Sequence, residues 1–281
     1  MTGFKGYFNR LAGYGHSSNA LKGVAEYLAS QGVRFLLGEQ KGKVTELLYR
    51  GNGKTRRCVG VRTADGKAHQ AAKVICALGA YGASLIPDLG KFAVARCFVN
   101  VRDLGFFFEP DPATRLFKLC PLRAGYSNSG KDGTSLPPLD RLPPPQDFIP
   151  KEDEEKLRRL LRETLPWTAD RPFVDKKMCW FSDSKDSEYC IDFVPGTNQS
   201  LVVLSGDSGH GFKMMPVLGK WVVDLLHKGR QERDLWKWRS EDVASPQRDW
   251  GSSVSWRIGE AKELSDVIRE HQAQFRARLS R

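Results

Sequence analysis

The run SLVVLSGDSGHGFKMMPVLGKWVVDLL, residues 200–226, constrains the fold more than any other stretch of this chain. SLVVLSG is short and continuously apolar, the character of a strand buried on both faces. After Pro216, the residues Val217, Leu218, Trp221, Val222, Leu225 and Leu226 recur at helical spacing. They predict a largely buried helix that ends near Gly229. Between strand and helix, Gly206, Gly209 and Gly211 surround His210 and let backbone amides approach a ligand closely at the positive end of a helix dipole. Lys213 adds a full positive charge at the same mouth, suited to a carboxylate or a phosphate.

The segment GDSG also surrounds the reactive serine of trypsin-like proteases. Here position 210 is histidine, which breaks G-x-S-x-G, and no triad can be composed around it. A second suspect is RGNGKT at residues 50–55, because G-K-T closes a phosphate-binding P-loop. That loop needs a glycine where Leu48 stands, so RGNGKTRR is read as a hairpin turn.

Upstream, His16-Ser17-Ser18-Asn19 offers cap residues to a helix over about residues 18–30, with Leu21, Val24, Ala25 and Leu28 on one face. VRFLLG, KVTELLYR, CVGVRTA and KVICALG read as strands, the last ending in the small-residue turn that holds Gly79 and Ala80. From about residue 92 the character changes: FVNVRDLGFFFEP and RLFKLCPL read as strands, and SLPPLDRLPPPQDFIP is proline-rich and irregular. Pro150 and an acidic first turn then start a helix with the apolar stripe Leu157, Leu160, Leu161 and Leu165. The closing segment GEAKELSDVIREHQAQFRARLSR is weakly amphipathic, and reads as a solvated terminal helix or a frayed tail.

A chain of 281 residues can bury one large core or two interleaved ones. The net charge of +11 permits attraction to acidic partners, but the basic residues are scattered without an aromatic-basic recognition motif, so nucleic acid is not expected as a partner. Six cysteines never form C-x-x-C and five histidines form no ligand set, so no metal is expected. The N-terminus lacks the apolar core of a signal peptide, no apolar run is long enough for a membrane span, and FRARLSR is not a terminal S-K-L. The expected location is intracellular and cytoplasmic, without membrane partners.

Four blocks, in order, resemble the flavin-dependent amine oxidases of the monomeric sarcosine oxidase, fructosyl-amino-acid oxidase (amadoriase) and saccharopine oxidase type, especially the fungal branch. They are GYFNRLAGYGHSSNALKGVAEYLASQGVRF with CVGVRTADG and KVICALGAYGASLIPDL; FFFEPDPATRLFKLC; CWFSDSKDSEYCID; and LVVLSGDSGHGFKMMPVLGKWVVDLL. The resemblance implies a mixed α/β fold: the remainder of a discontinuous, Rossmann-like FAD-binding domain with an inserted antiparallel-sheet substrate domain. The expected boundaries are a first FAD segment over 1–91, a substrate and catalytic domain over 92–175, a returning FAD segment over 176–245 and a tail over 246–281.

The same resemblance implies FAD as cofactor, held through a thioether to Cys179 and approached by Gly79, Ala80, Gly206, Gly209, His210 and Gly211. It implies that Lys213 binds the substrate carboxylate and that Lys118 serves oxygen activation at the flavin. Plainer readings stand beside these: Cys179 as a buried core thiol, Lys118 as a strand-edge lysine, His210 as a hydrogen-bonded turn residue. The implied partners are a small amine or amino-acid substrate and oxygen, oxidised at a C–N bond to an imine and reduced to hydrogen peroxide respectively.

The family opens with a G-x-G-x-x-G turn that is absent from these residues, and residues 91–105 depart from its pattern. The expectation is that the chain lacks the N-terminal flavin segment and leaves an apolar edge exposed. Three readings follow: a truncated oxidase, a noncatalytic paralogue or half of a split enzyme completed by a partner chain, and a basic nucleic-acid-binding module for which the clustered basic face is missing.

Overall fold

The computed structural model describes residue 10 and residues 15–91, 93–97, 105–107, 113–121, 125–131, 133–138, 149–184, 186–239 and 262–279. In chain order, α1 (Ser17–Ser30) is followed by β1 (Val44–Arg50), β2 (Arg57–Thr63), β3 (Ala68–Gln70), β4 (Val74–Cys76) and the short α2 (Gly82–Leu85). Next come β5 (Ala93–Cys97), β6 (Gly105–Phe107), β7 (Leu119–Pro121), β8 (Tyr126–Ser127) and α3 (Lys151–Thr164). The chain continues through β9 (Trp180–Ser184), β10 (Cys190–Phe193), β11 (Leu201–Ser205), α4 (Gly211–Lys228), β12 (Lys262–Glu263) and α5 (Leu264–Leu279). These elements make a mixed α/β protein of two compact units, Gly13–Ala93 with Ser187–Ala244, and Met1–Ala12 with Val94–Asp186 and Ser245–Arg281. No helix among the described residues is long and apolar enough to cross a membrane.

In the unit containing β11, two sheets form. One is an antiparallel meander in the order β1-β2-β3; the other has the order β10-β11-β4, with β11 antiparallel to β10 and parallel to β4. The apolar run of β11 is explained by its two covered faces. Leu201 and Val203 join Leu47, Cys58, Cys76, Ile86, Leu89 and Cys190 on one side. Val202 joins Ile191, Val222, Leu225, Trp236 and Tyr189 on the other. Side chains alternate across a strand, so each face needs its own apolar residues. The RGNGKTRR hairpin forms as expected: Asn52 and Thr55 make a reciprocal capping box, and Gly51, at φ +73°, is required because a Cβ there would lie 2.6 Å from the Thr55 carbonyl oxygen.

Two expectations change in this unit, and a helix that forms as read lies without packing. VRFLLG forms no strand, and Val33, Phe35, Leu36 and Leu37 are exposed; no strand among the described residues pairs with this segment. Helix α1 forms with His16 Nδ1 accepting the Asn19 N–H at 3.3 Å, yet it buries no residue, so its apolar stripe faces solvent. Helix α4 begins at Gly211 rather than at Pro216 and buries only Val222 and Leu225 fully; Pro216 sits inside it, forfeiting one backbone bond near the start. Its end is as read, with Gly229 left-handed at φ +67°.

The other unit holds a sheet in the order β12-β8-β5-β9 and a two-stranded sheet β6-β7. Glu152, Asp153 and Glu154 occupy the first turn of α3 after the N-cap Pro150, favourable against the helix dipole, while Leu157, Leu160 and Leu161 are buried. Tyr126 Oη donates to Asp153 Oδ2 at 2.6 Å and ties β8 to that turn. The terminal helix α5 is anchored rather than frayed at its start: Leu264 and Val267 are buried, and Val267 packs with Tyr126, Met178 and Ile268. Parts of the expected FVNVRDLGFFFEP strand and of the proline-rich stretch lie outside the described residues.

Candidate cofactor and substrate site

Because β4 and β11 run parallel, the turns that follow them leave the sheet at the same end. The first turn carries Gly79, at φ +52° with no atom within 4 Å of a would-be Cβ, and Ala80, which is buried. A Cβ on Gly82 would lie 4.0 Å from Ser205 Oγ, so the two turns are neighbours. The second turn bends through positive φ at Gly206 (+71°), Ser208 (+47°) and Gly209 (+81°) before α4 starts. A left-handed serine is uncommon; Ser208 Oγ donates to the Gly206 carbonyl at 3.3 Å.

Asp207 organises this turn. Its carbonyl accepts the His210 N–H at 2.7 Å and its Oδ2 accepts the Gly209 N–H at 3.3 Å. A Cβ at Gly211 would stand 3.1 Å from the same Oδ2, so glycine lets the helix start lie against the carboxylate. Tyr189 Oη donates to the His210 carbonyl at 3.0 Å. His210 is the N-cap residue and makes no side-chain cap bond, which leaves the first-turn amides of α4 without an acceptor from the cap. Lys213 stands exposed in that first turn. The two turns and the start of α4 therefore hold Gly79, Ala80, Gly206, Gly209, His210, Gly211 and Lys213 within one unit. Asp207 and Tyr189 are organising residues that sequence reading missed, the one hidden in GDSG and the other in the unremarkable SEYCID.

Lys118 and Cys179 lie in the other unit. Cys179 is exposed and directly precedes β9, so it is not the buried core thiol of the plainer reading; among the cysteines whose burial is described, Cys58, Cys76, Cys120 and Cys190 are buried. Lys118 is exposed and directly precedes β7. Burial pushes the Cys120 thiol up to about 11, the Lys118 ammonium draws it down, and Cys179 pushes it up. Lys118, Cys120 and Cys179 thus share one electrostatic neighbourhood.

A parallel strand pair with glycine turns at its carboxyl ends is an arrangement that dinucleotide-binding α/β proteins use. The chain belongs to the FAD dependent oxidoreductase family, whose pattern matches residues 2–225. It is 30% identical over 270 residues to L-saccharopine oxidase of Schizosaccharomyces pombe, covering 84% of this chain and 61% of that protein. It is 26% identical over 198 residues to a monomeric sarcosine oxidase of Bacillus sp., covering 64% and 50%. The crystal structure of the deglycating enzyme fructosamine oxidase (Amadoriase II) from Aspergillus fumigatus superposes with a TM-score of 0.74 at 30% identity, over 89% of this chain and 63% of that one. The chain thus spans less than two thirds of these relatives' lengths.

The residues present fit part of an FAD site. The open Cβ direction at Gly79 and the positive-φ glycines permit close approach, and the α4 amides suit an electron-rich edge. An exposed thiol can bond to carbon as a thiolate, which a buried one cannot readily do.

Proposed function

We propose that this chain serves an FAD-dependent oxidation of the C–N bond of an amino acid or secondary amine, giving an imine while oxygen is reduced to hydrogen peroxide. The observation that carries this reading is the glycine turn between β11 and α4, with its amides and Lys213 at one helix start, in a member of the FAD dependent oxidoreductase family. Saccharopine-like, sarcosine-like and fructosyl amino acids are the substrate classes suggested by the relatives.

FAD, when bound, accepts a hydride from the substrate carbon and passes electrons to oxygen. The chain's own residues take these roles. Gly79, Ala80, Gly206, Gly209, His210 and Gly211 offer backbone to the cofactor, and the α4 amides hold negative charge. Cys179 Sγ would hold the cofactor through a thioether, a bond whose formation releases the thiol proton and leaves two electrons for oxygen to remove. Lys213 Nζ binds the substrate carboxylate, and Lys118 Nζ keeps a positive charge where oxygen takes up electrons.

The test is to express the full chain in flavin-replete cells, denature it in acid and look for flavin absorbance that stays with the protein band. Retention in the wild type and its loss in Cys179→Ala supports the reading; retention in Cys179→Ala overturns the anchor. Lys213→Met should weaken carboxylate substrates far more than neutral amines, and Lys118→Met should slow reoxidation by oxygen more than reduction by substrate.

A second reading, a noncatalytic assembly protein or half of a split enzyme, is favoured by one observation. Leu21, Val24 and Tyr27 of α1 are 53%, 42% and 63% exposed on one helix face, a surface that a complementing polypeptide would cover. Soluble chain that gains flavin only with such a polypeptide present would select this reading.

A further inference from the structure

The β1–β2 ladder sets two arginines against each other. Arg50 is the register partner of Arg57, so their side chains stand on the same face at the mouth of the hairpin. Like charges directly opposite destabilise a ladder, and the same ladder shows the usual remedy a few residues away: Glu46 is the partner of Arg62, and Arg62 Nε meets Glu46 Oε2 at 2.8 Å. For Arg50 and Arg57, no described residue supplies the guanidinium with an ion pair or hydrogen bond. The remaining arginine of the turn is engaged elsewhere, with Arg56 lying over the Tyr49 ring at 4.0 Å.

Arg50 and Arg57 are among the residues that line an open cleft of about 570 Å³. Cys58, Val59, Gln70, Ala71 and Ala72 also line it, and no lining residue is acidic. The wall is stiff. The capping box holds Asn52 to Thr55, Gly51 fits only as glycine, and Ala71 N–H bonds to the Val59 carbonyl at 2.9 Å. Arg50 and Arg57 are thus displayed from a preformed hairpin rather than from a loop that could relax them apart. The cleft also lies at the far end of the sheet from the glycine turns: Cys58 N–H bonds to Ser200 Oγ at 2.7 Å, just before β11, and Ala72 stands two residues before β4.

We propose that this cleft is a second anion site, in which Arg50 and Arg57 bind a dianionic phosphoryl group. A guanidinium pair presents planar donor forks that match phosphate oxygens, and a dianion between them turns their repulsion into attraction. The site is not a P-loop: the G-K-T segment is a three-residue turn between antiparallel strands, with no helix start to cradle phosphates. Free phosphate and a phosphate ester share the recognising chemistry.

The test uses the full chain and inorganic phosphate, titrated by calorimetry at constant ionic strength with chloride as the replaced ion. One saturable site is expected, weakened at least tenfold in Arg50→Gln and in Arg57→Gln, and unchanged in Lys220→Gln on α4. Without phosphate and at low salt, each of the two arginine variants should melt at a higher temperature than the wild type, because the repulsion is gone. Competition then separates the sources: a sugar phosphate or adenosine monophosphate that displaces phosphate with at least tenfold tighter affinity identifies an ester as ligand, and equal or weaker displacement identifies free phosphate. Absence of saturable binding, or wild-type affinity in either arginine variant, overturns the proposal, as does a lower melting temperature of these variants at low salt.

Discussion

Tyr189 donates its phenolic hydrogen to the backbone carbonyl of His210 at 3.0 Å, joining the residue before β10 to the residue that opens α4. The phenol is buried, packed edge-on against Trp221 and Trp236 at centroid separations of 5.9 and 5.7 Å. The glycine turn is therefore held from outside its own segment.

Tyr189→Phe should cost about 1 kcal/mol, the net worth of one such bond, and leave the aromatic packing intact. Burial pushes the phenol above its ordinary 10.0, with Asp207 and Glu188 adding to the rise. The neutral form is thus favoured in the fold. Its contribution is fully present below pH 10 and is lost as pH rises through the folded value. Urea denaturation from pH 8 to 11 should show wild type and Tyr189→Phe converging at the alkaline end.

Two glycines of α4 should answer alanine with opposite signs. Gly219 has nothing within 4 Å of its would-be Cβ, so Gly219→Ala should stabilise by about 0.5–1 kcal/mol through helix propensity and unfolded-state entropy. Gly211→Ala places the methyl 3.1 Å from Asp207 Oδ2, which must give by a few tenths of an ångström against its bond from the Gly209 N–H, and should destabilise. Chemical denaturation of both variants provides the check.

Thiol labelling of the native chain at pH 8 should mark Cys179 before Cys58, Cys76, Cys120 or Cys190. Cys179 is exposed, whereas burial pushes Cys76 and Cys120 up to about 11 and leaves them protonated. Mass spectrometry of the early label gives the order, and fast modification of Cys120 would contradict the described burial.

Glu263 anchors β12 to β8. Its carboxylate accepts Ser127 Oγ at 2.6 Å, Ser129 Oγ at 2.5 Å and the Ser129 N–H at 3.1 Å. Burial alone would raise its pKa, but these donors outweigh burial and hold it below its ordinary 4.5. Its contribution is present above pH 4.5 and is lost as pH falls through the depressed value. Glu263→Gln should lower the melting temperature at pH 7, and the difference should shrink toward pH 3.

Much of this architecture was legible where local pattern and burial agree. β11 announced two covered faces by its unbroken apolar run, Gly229 marked the end of α4, and Leu157, Leu160 and Leu161 marked the buried stripe of α3. Reading failed where apolar residues lack a neighbour. VRFLLG has strand composition but no described strand beside it, and α1 has the spacing of a packed helix without the packing. For α5 the error ran the other way, because weak amphipathicity hides the two residues, Leu264 and Val267, that anchor it. The glycine turn was visible as bare backbone, but its order depends on Asp207 and Tyr189, whose roles come from tertiary contact rather than spacing. The roles of Lys118 and Cys179 came from a resemblance, and composition gave no sign that both act on the buried Cys120 thiol.

The two-faced burial of β11 has a kinetic consequence. A strand flanked by β10 and β4 and covered above and below has no route by which deuterium reaches its amides short of breaking the unit apart. The exchange rates of Val202 and Val203 should therefore serve as a clock for whole-unit opening, against which ligand-induced tightening anywhere in that unit can be timed.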